Sequence, residues 1–156
     1  MKIKIISLIK RQEETLRVCE EEYLKRIRKS FPCELVEIKR AAILDEGNKQ
    51  KIIQSEMKKL EAQFSRESTL VVLAKEGKAF DSQELSHWLK ERANEGVKEL
   101  TFVIGGPLGL SEELVRRARW KLALSKLTFP HKLVRVILLE ALYRASEISR
   151  GSGYHK

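Results

Sequence analysis

Two short runs constrain the fold most. Residues 69–74 (TLVVLA) and 100–104 (LTFVI) are apolar without alternation. A strand with one wet face alternates, whereas an unbroken run of this length fits a strand covered on both faces, the condition of a parallel sheet between helical layers. The neighbouring segments agree. Residues 1–9 alternate lysine with isoleucine as a strand, and residues 34–39 alternate again after Pro32. Between them residues 12–29 read as a helix, with Glu13, Glu14, Glu20, Glu21 and Glu22 early and Lys25, Arg26, Arg28 and Lys29 late. That gradient complements the helix dipole, so the basic end is read as structural. Gly47 and Asn48 lead into a helix over 49–64, and Asp81 with Glu84 makes a capping box for a helix over 81–94, which Gly96 ends. Residues 75–80 are expected as a loop, Ser111 as the N-cap of a helix through 118, and residues 122–124 as a last short apolar segment. The alternation predicts one α/β domain over residues 1–156, a largely parallel sheet with flanking helices and no linker or repeat.

Residues 122–145 (LALSKLTFPHKLVRVILLEALYRA) are the second constraint. A polar loop feeds a helix that is apolar nearly all round, with Val134, Ile137, Leu138, Ala141, Ala145 and Ile148 on one broad stripe. Such a helix expects burial on several sides. Set into it are His131 with Arg135 and Glu140 with Arg144, each pair at i, i+4. Two readings stand: intrahelical pairs on partly solvated edges, or a helix lining a site or subunit contact where His131 and the arginines meet a polar ligand.

No apolar run approaches the roughly 18 residues a membrane span needs, so a soluble, cytoplasmic protein without a membrane partner is expected. The opening MKIKIISLIK reads as a strand and not a signal peptide. Cys19 and Cys33 have no metal or redox spacing and are expected to be buried, inert thiols. The net charge is +9. Residues 101–156 carry 10 Lys+Arg against 4 Asp+Glu, so +6 of it lies in the last third. This suits a polyanion such as RNA or DNA, and it also serves solubility.

In parallel sheets ligands collect beyond the carboxyl ends of strands. Three such segments carry suitable chemistry here: residues 73–77, 105–109 and 124–129. The turn Gly105-Gly106-Pro107-Leu108-Gly109 opens backbone N–H and C=O groups to a ligand, with Pro107 restricting it. It has neither the Gly-Lys-Ser/Thr ending of a phosphate loop nor a G-x-G-x-x-G spacing. The next helix opens Ser111-Glu112-Glu113, which opposes a bound phosphate; two readings stand, a ligand without phosphate, such as one with positive charge, or carboxylates that only stabilise the helix start.

The set LVVLAKEGKAFDSQEL, FVIGGPLGL, LALSKLTFPHKLVRVILLEALYRA and the terminal GYHK closely resembles the RlmH family of the SPOUT (α/β-knot) methyltransferases over essentially the whole chain. The resemblance implies a homodimeric enzyme with a C-terminal trefoil knot. It would transfer methyl from S-adenosylmethionine to N3 of a pseudouridine in a 23S rRNA hairpin loop on the assembled ribosome. Carried over by motif, the cofactor positions are Leu73, Gly105, Leu124, Ser125, Lys126, Leu127, Thr128 and Phe129, with Gly106, Pro107 and Gly109 shaping the pocket. Because the methyl donor is already a sulfonium, no metal is required, and alignment and removal of the N3 proton are the remaining tasks. His131 is one candidate base, with a helix N-terminal residue bonded to backbone as the plainer reading. Arg135 and Arg144 are candidates to hold phosphate or negative charge developing on the uracil oxygens. Tyr154, His155 and Lys156 are expected to close over the partner subunit's site, stacking on a base and meeting phosphate. Two rivals remain: a SPOUT enzyme acting on a ribose oxygen or another base, and a non-catalytic ribosome-binding factor.

Overall fold

The structure, a computed structural model, describes residues 1–9, 12–40 and 49–155; Gly47, Asn48 and Lys156 lie outside the described residues. Five strands, β1 (Lys2–Ile9), β2 (Cys33–Lys39), β3 (Ser68–Ala79), β4 (Glu99–Ile104) and β5 (Trp120–Ala123), form one sheet in the order β2-β1-β4-β3-β5. Every pairing is parallel, as the unbroken apolar runs require. All six residues of β4, the central strand, are buried.

Alternate strand residues feed two cores. Ile3, Ile5, Val71, Leu100 and Phe102 pack against α1 (Glu14–Ile27), α3 (Ser82–Asn94) and α5 (His131–Ser149). Ile6, Leu8, Val72 and Val103 point the other way, onto Met57 and Leu60 of α2 (Lys49–Glu61) and Leu114 of α4 (Glu112–Arg117). The caps form as the local sequence dictates. Asp81 accepts from the Glu84 N–H at 2.7 Å while Glu84 accepts from the Asp81 N–H at 2.9 Å, and Ser111 Oγ accepts from the Leu114 N–H at 3.2 Å.

Three expectations are corrected. Cys19 is exposed on α1, and only Cys33 is buried, where desolvation pushes its thiol up to about 11. On α5 the buried face is Arg135, Leu138, Leu139, Leu142, Ala145 and Ser146, so the helix is turned to bring a charge inward and leave Val134, Ile137, Ala141 and Ile148 half-exposed. Residues 75–79 are not a loop that leaves β3 behind, because Lys78 and Ala79 pair with β5 again. Leu73 and Lys78 are both in register with Leu122 of β5, and residues 74–77 form a four-residue irregularity between them.

Gly77 makes that detour possible. A Cβ there would lie 2.5–2.6 Å from Leu122 C, Leu122 N and Lys121 C, all backbone atoms of a paired strand. Gly77→Ala is therefore expected to push β5 away from residues 74–77, costing about 1–3 kcal/mol in urea unfolding. It should also weaken small-ligand binding beyond these strands about tenfold by calorimetry. Gly96→Ala is the comparison. Gly96 has φ +78° with open space around it beyond α3, so about 1 kcal/mol of strain with unchanged ligand binding is expected. Equal ligand affinity in the two variants would refute the role of Gly77.

Candidate functional site

A cavity of about 430 Å³ opens beyond the carboxyl ends of β3, β4 and β5. Its walls come from the three segments singled out by sequence. Leu73 ends the first half of β3 and continues through Ala74, Lys75 and Glu76; Gly105, Gly106, Pro107 and Gly109 follow β4; Leu124, Ser125, Leu127, Thr128 and Phe129 follow β5. Lys126 is the one cofactor candidate that does not line it.

Each wall is shaped locally. The Gly109 N–H donates to the Gly106 carbonyl at 2.9 Å, closing a four-residue turn with Pro107 in its second position, where its fixed φ is an advantage. Gly109 has φ +82°, a backbone region costly for a residue with a Cβ. At Gly105 a Cβ would stand 3.0 Å from the Leu110 side chain, so the turn could not fold as tightly around it. In the third wall Ser125 Oγ accepts from the Leu127 N–H at 3.0 Å. Pro130 then caps α5 without a side-chain bond and sets His131 at the first helical position, on the cavity rim.

The rim chemistry is mixed. Among the described lining residues Glu76 is the one carboxylate and Lys75 the one lysine. The His131 imidazole is held below its ordinary value, first by desolvation at the rim and then by the positive charge of Arg40. Arg40 follows β2 and is half-buried, its side chain passing Gly106 closely enough that a Cβ there would be 3.1 Å from Arg40 Cδ. Sequence reasoning missed Arg40, since an arginine just after a strand reads as ordinary surface. It also passed over Glu76, hidden in what looked like a loop.

The remaining candidates are elsewhere. Arg135 does not reach the cavity: it is 1% exposed, with Nη2 donating to Glu20 Oε2 at 2.6 Å and Nη1 lying 2.7 Å from Glu37 Oε1. Its charge is taken up by α1 and β2, leaving none to offer a phosphate or a uracil oxygen. Glu20 also accepts from the Gln12 amide, yet desolvation holds its carboxyl above the usual carboxylate range. Arg144 makes the plainer intrahelical pair, donating to Glu140 Oε1 from Nε at 2.9 Å and from Nη2 at 2.6 Å. Its guanidinium also lies 5.0 Å over the Tyr154 ring, which meets Tyr143 edge-on at 4.8 Å. The tail forms a 3-10 turn, Gly153–His155, against the end of α5. Separated by 13 positions on one helix, His131 and Arg144 are roughly 20 Å apart along the axis. One chain therefore keeps His131 at the cavity and Arg144, Tyr154 and His155 at the opposite end of α5.

Comparison with known proteins gives one family over nearly the whole chain. Residues 1–155 match the family model described as predicted SPOUT methyltransferase. Relatives include the ribosomal RNA large subunit methyltransferase H of Streptococcus pneumoniae strain CGSP14 and of strain ATCC 700669 / Spain 23F-1. Each is 38% identical over 159 aligned positions, covering 100% of this chain and 100% of the relative.

Proposed function

The chain belongs to the SPOUT methyltransferase family, and from that premise we propose that it transfers methyl from S-adenosylmethionine to N3 of a pseudouridine in a 23S rRNA hairpin loop on the assembled ribosome. The observation that carries the reading is the convergence of three loops on one cavity, with ten of the eleven cofactor candidates in its wall. The name of the relatives supports ribosomal RNA as the substrate.

The residues present fit the donor. About 430 Å³ is within the roughly 300–1,000 Å³ of small-molecule sites. Leu73, Ile104, Leu110 and Leu124 give the wall an apolar surface for an adenine, the bare turn at Gly105 and Gly106 exposes backbone groups, and Glu76 suits a cationic ligand. When bound, the donor supplies a methyl on a sulfonium, a leaving group already charged. The chain's own tasks are to exclude water, to orient the base and to accept a proton. His131, on the rim and kept neutral near pH 7, is placed to take the N3 proton.

A two-fold dimer completes the site in this reading. The separation of His131 from Arg144 and Tyr154 along α5 means that a partner running the other way would bring its own Arg144 and tail toward the first chain's cavity. Leu133, Ile137 and Ile148 leave a partly exposed apolar line on α5 for such a contact. Among the described residues no helix is long and apolar enough to cross a membrane.

Calorimetry with S-adenosylmethionine, joined to mass mapping of 23S rRNA from a strain lacking the gene, tests the function. Donor binding and one base methyl that complementation restores are expected. A restored ribose methyl would favour a different SPOUT activity, and absence of donor binding would favour the non-catalytic ribosome-binding factor.

A further inference from the structure

Resting on the proposed RNA methyl transfer, we propose that Arg40, lying across Gly106, forms an anion subsite at the cavity mouth that holds a backbone phosphate of the RNA beside the target nucleotide. The root of Arg40 is fixed, because its N–H donates to the Ile9 carbonyl at 3.1 Å, at the same end of the sheet as the cavity. From there its side chain crosses the turn after β4. A Cβ on Gly106 would be 3.1 Å from Arg40 Cδ and 3.7 Å from Cγ and Nε, so the bare glycine is what lets the arm lie along the lip.

Two further observations give that arm a use. Arg135 and Arg144 are both spent on carboxylates, whereas Arg40 has no carboxylate within ion-pair distance among the described residues. Its charge also reaches His131 across the mouth. Arg40 is not among the cavity-lining residues, so the anion assigned to it belongs to the RNA and not to the donor. A guanidinium fork matches phosphate oxygens in pairs, and RNA strands are held mainly through such backbone contacts. Among the described lining residues the opposing charge is Glu76, on the wall built by β3.

Steady-state kinetics with large ribosomal subunits and Arg40→Ala test this, with the salt dependence of subunit binding measured alongside. At about pH 8, where His131 is neutral with or without the Arg40 charge, the KM for subunits should rise about tenfold with kcat little changed, as for loss of one charged hydrogen bond. The slope of log K against log salt should shrink by about 0.7 to 0.9, the signature of one lost phosphate contact. Arg40→Lys should keep the slope and recover part of the KM, since it retains the charge without the fork. An unchanged KM and slope in Arg40→Ala would overturn the proposal. So would weaker binding of S-adenosylmethionine by calorimetry, which would assign the anion to the donor's carboxylate. If the unaltered protein methylates nothing, the parent reading fails instead, and the two failures are distinct.

Discussion

His131→Ala is expected to lower kcat for rRNA methylation by about 10² to 10⁴, the usual worth of a positioned proton acceptor, while leaving donor affinity within a small factor. The imidazole sits on the rim at the start of α5, next to the walls after β4 and β5. Only its neutral form can take a proton. Desolvation and the Arg40 charge hold its pKa below the ordinary 6.5, so the neutral form dominates at pH 7. The acid limb of the kcat profile should therefore lie below pH 6.5, with activity lost as pH falls through the depressed value. His131→Asn should resemble alanine, because an amide accepts a hydrogen bond but not a proton. A profile flat from pH 5 to 8, or full activity in either variant, would leave His131 as a helix-start residue and move the proton elsewhere.

Arg135→Ala acts on the fold. Removing the guanidinium strands Glu20, a carboxylate with 3% side-chain exposure, and releases Glu37 from α5. Breaking a buried pair in this one-sided way costs about 3–5 kcal/mol. The pH dependence has a definite sign. Glu20 is already held above its ordinary carboxylate value by desolvation, and without the cation it is raised further. A carboxyl whose folded pKa exceeds its unfolded pKa contributes stability that is present below the unfolded value and lost as pH rises through the folded one. Urea midpoints should thus show a deficit in Arg135→Ala that is largest near pH 7 and shrinks toward pH 5. Pairing Arg135→Met with Glu20→Leu should recover much of the loss, since the charge then left without its partner, Glu37, is the solvated one. A deficit below about 1 kcal/mol, or one independent of pH, would mean that the pair contributes little.

Much of the architecture was legible in sequence because it depends on short-range chemistry. The apolar runs that became β3 and β4 specify strands covered on two faces, and the capping box at Asp81 and the cap at Ser111 are complete within four residues. The cavity-lining segments were found for the same reason: strands of a parallel sheet end at a common edge, and glycine, proline and serine mark how each strand is left. Boundaries were less exact. The helix expected over 49–64 stops at Glu61, and β5 begins at Trp120, two residues before the expected segment.

What the chain does at a distance was decided only by tertiary structure. Arg135 looked like a ligand-binding cation on its own helix and became a structural one because Glu20, 115 residues earlier, meets it in the interior. Gly77 looked like a loop glycine until β5 was laid against its backbone, and Arg40 gained significance from the turn at Gly106 that it crosses. Periodicity, caps and turns are settled by neighbours within a few residues. Charge neutralisation and close backbone approach depend on which distant segments share a space, and that is fixed only when the sheet order brings them together.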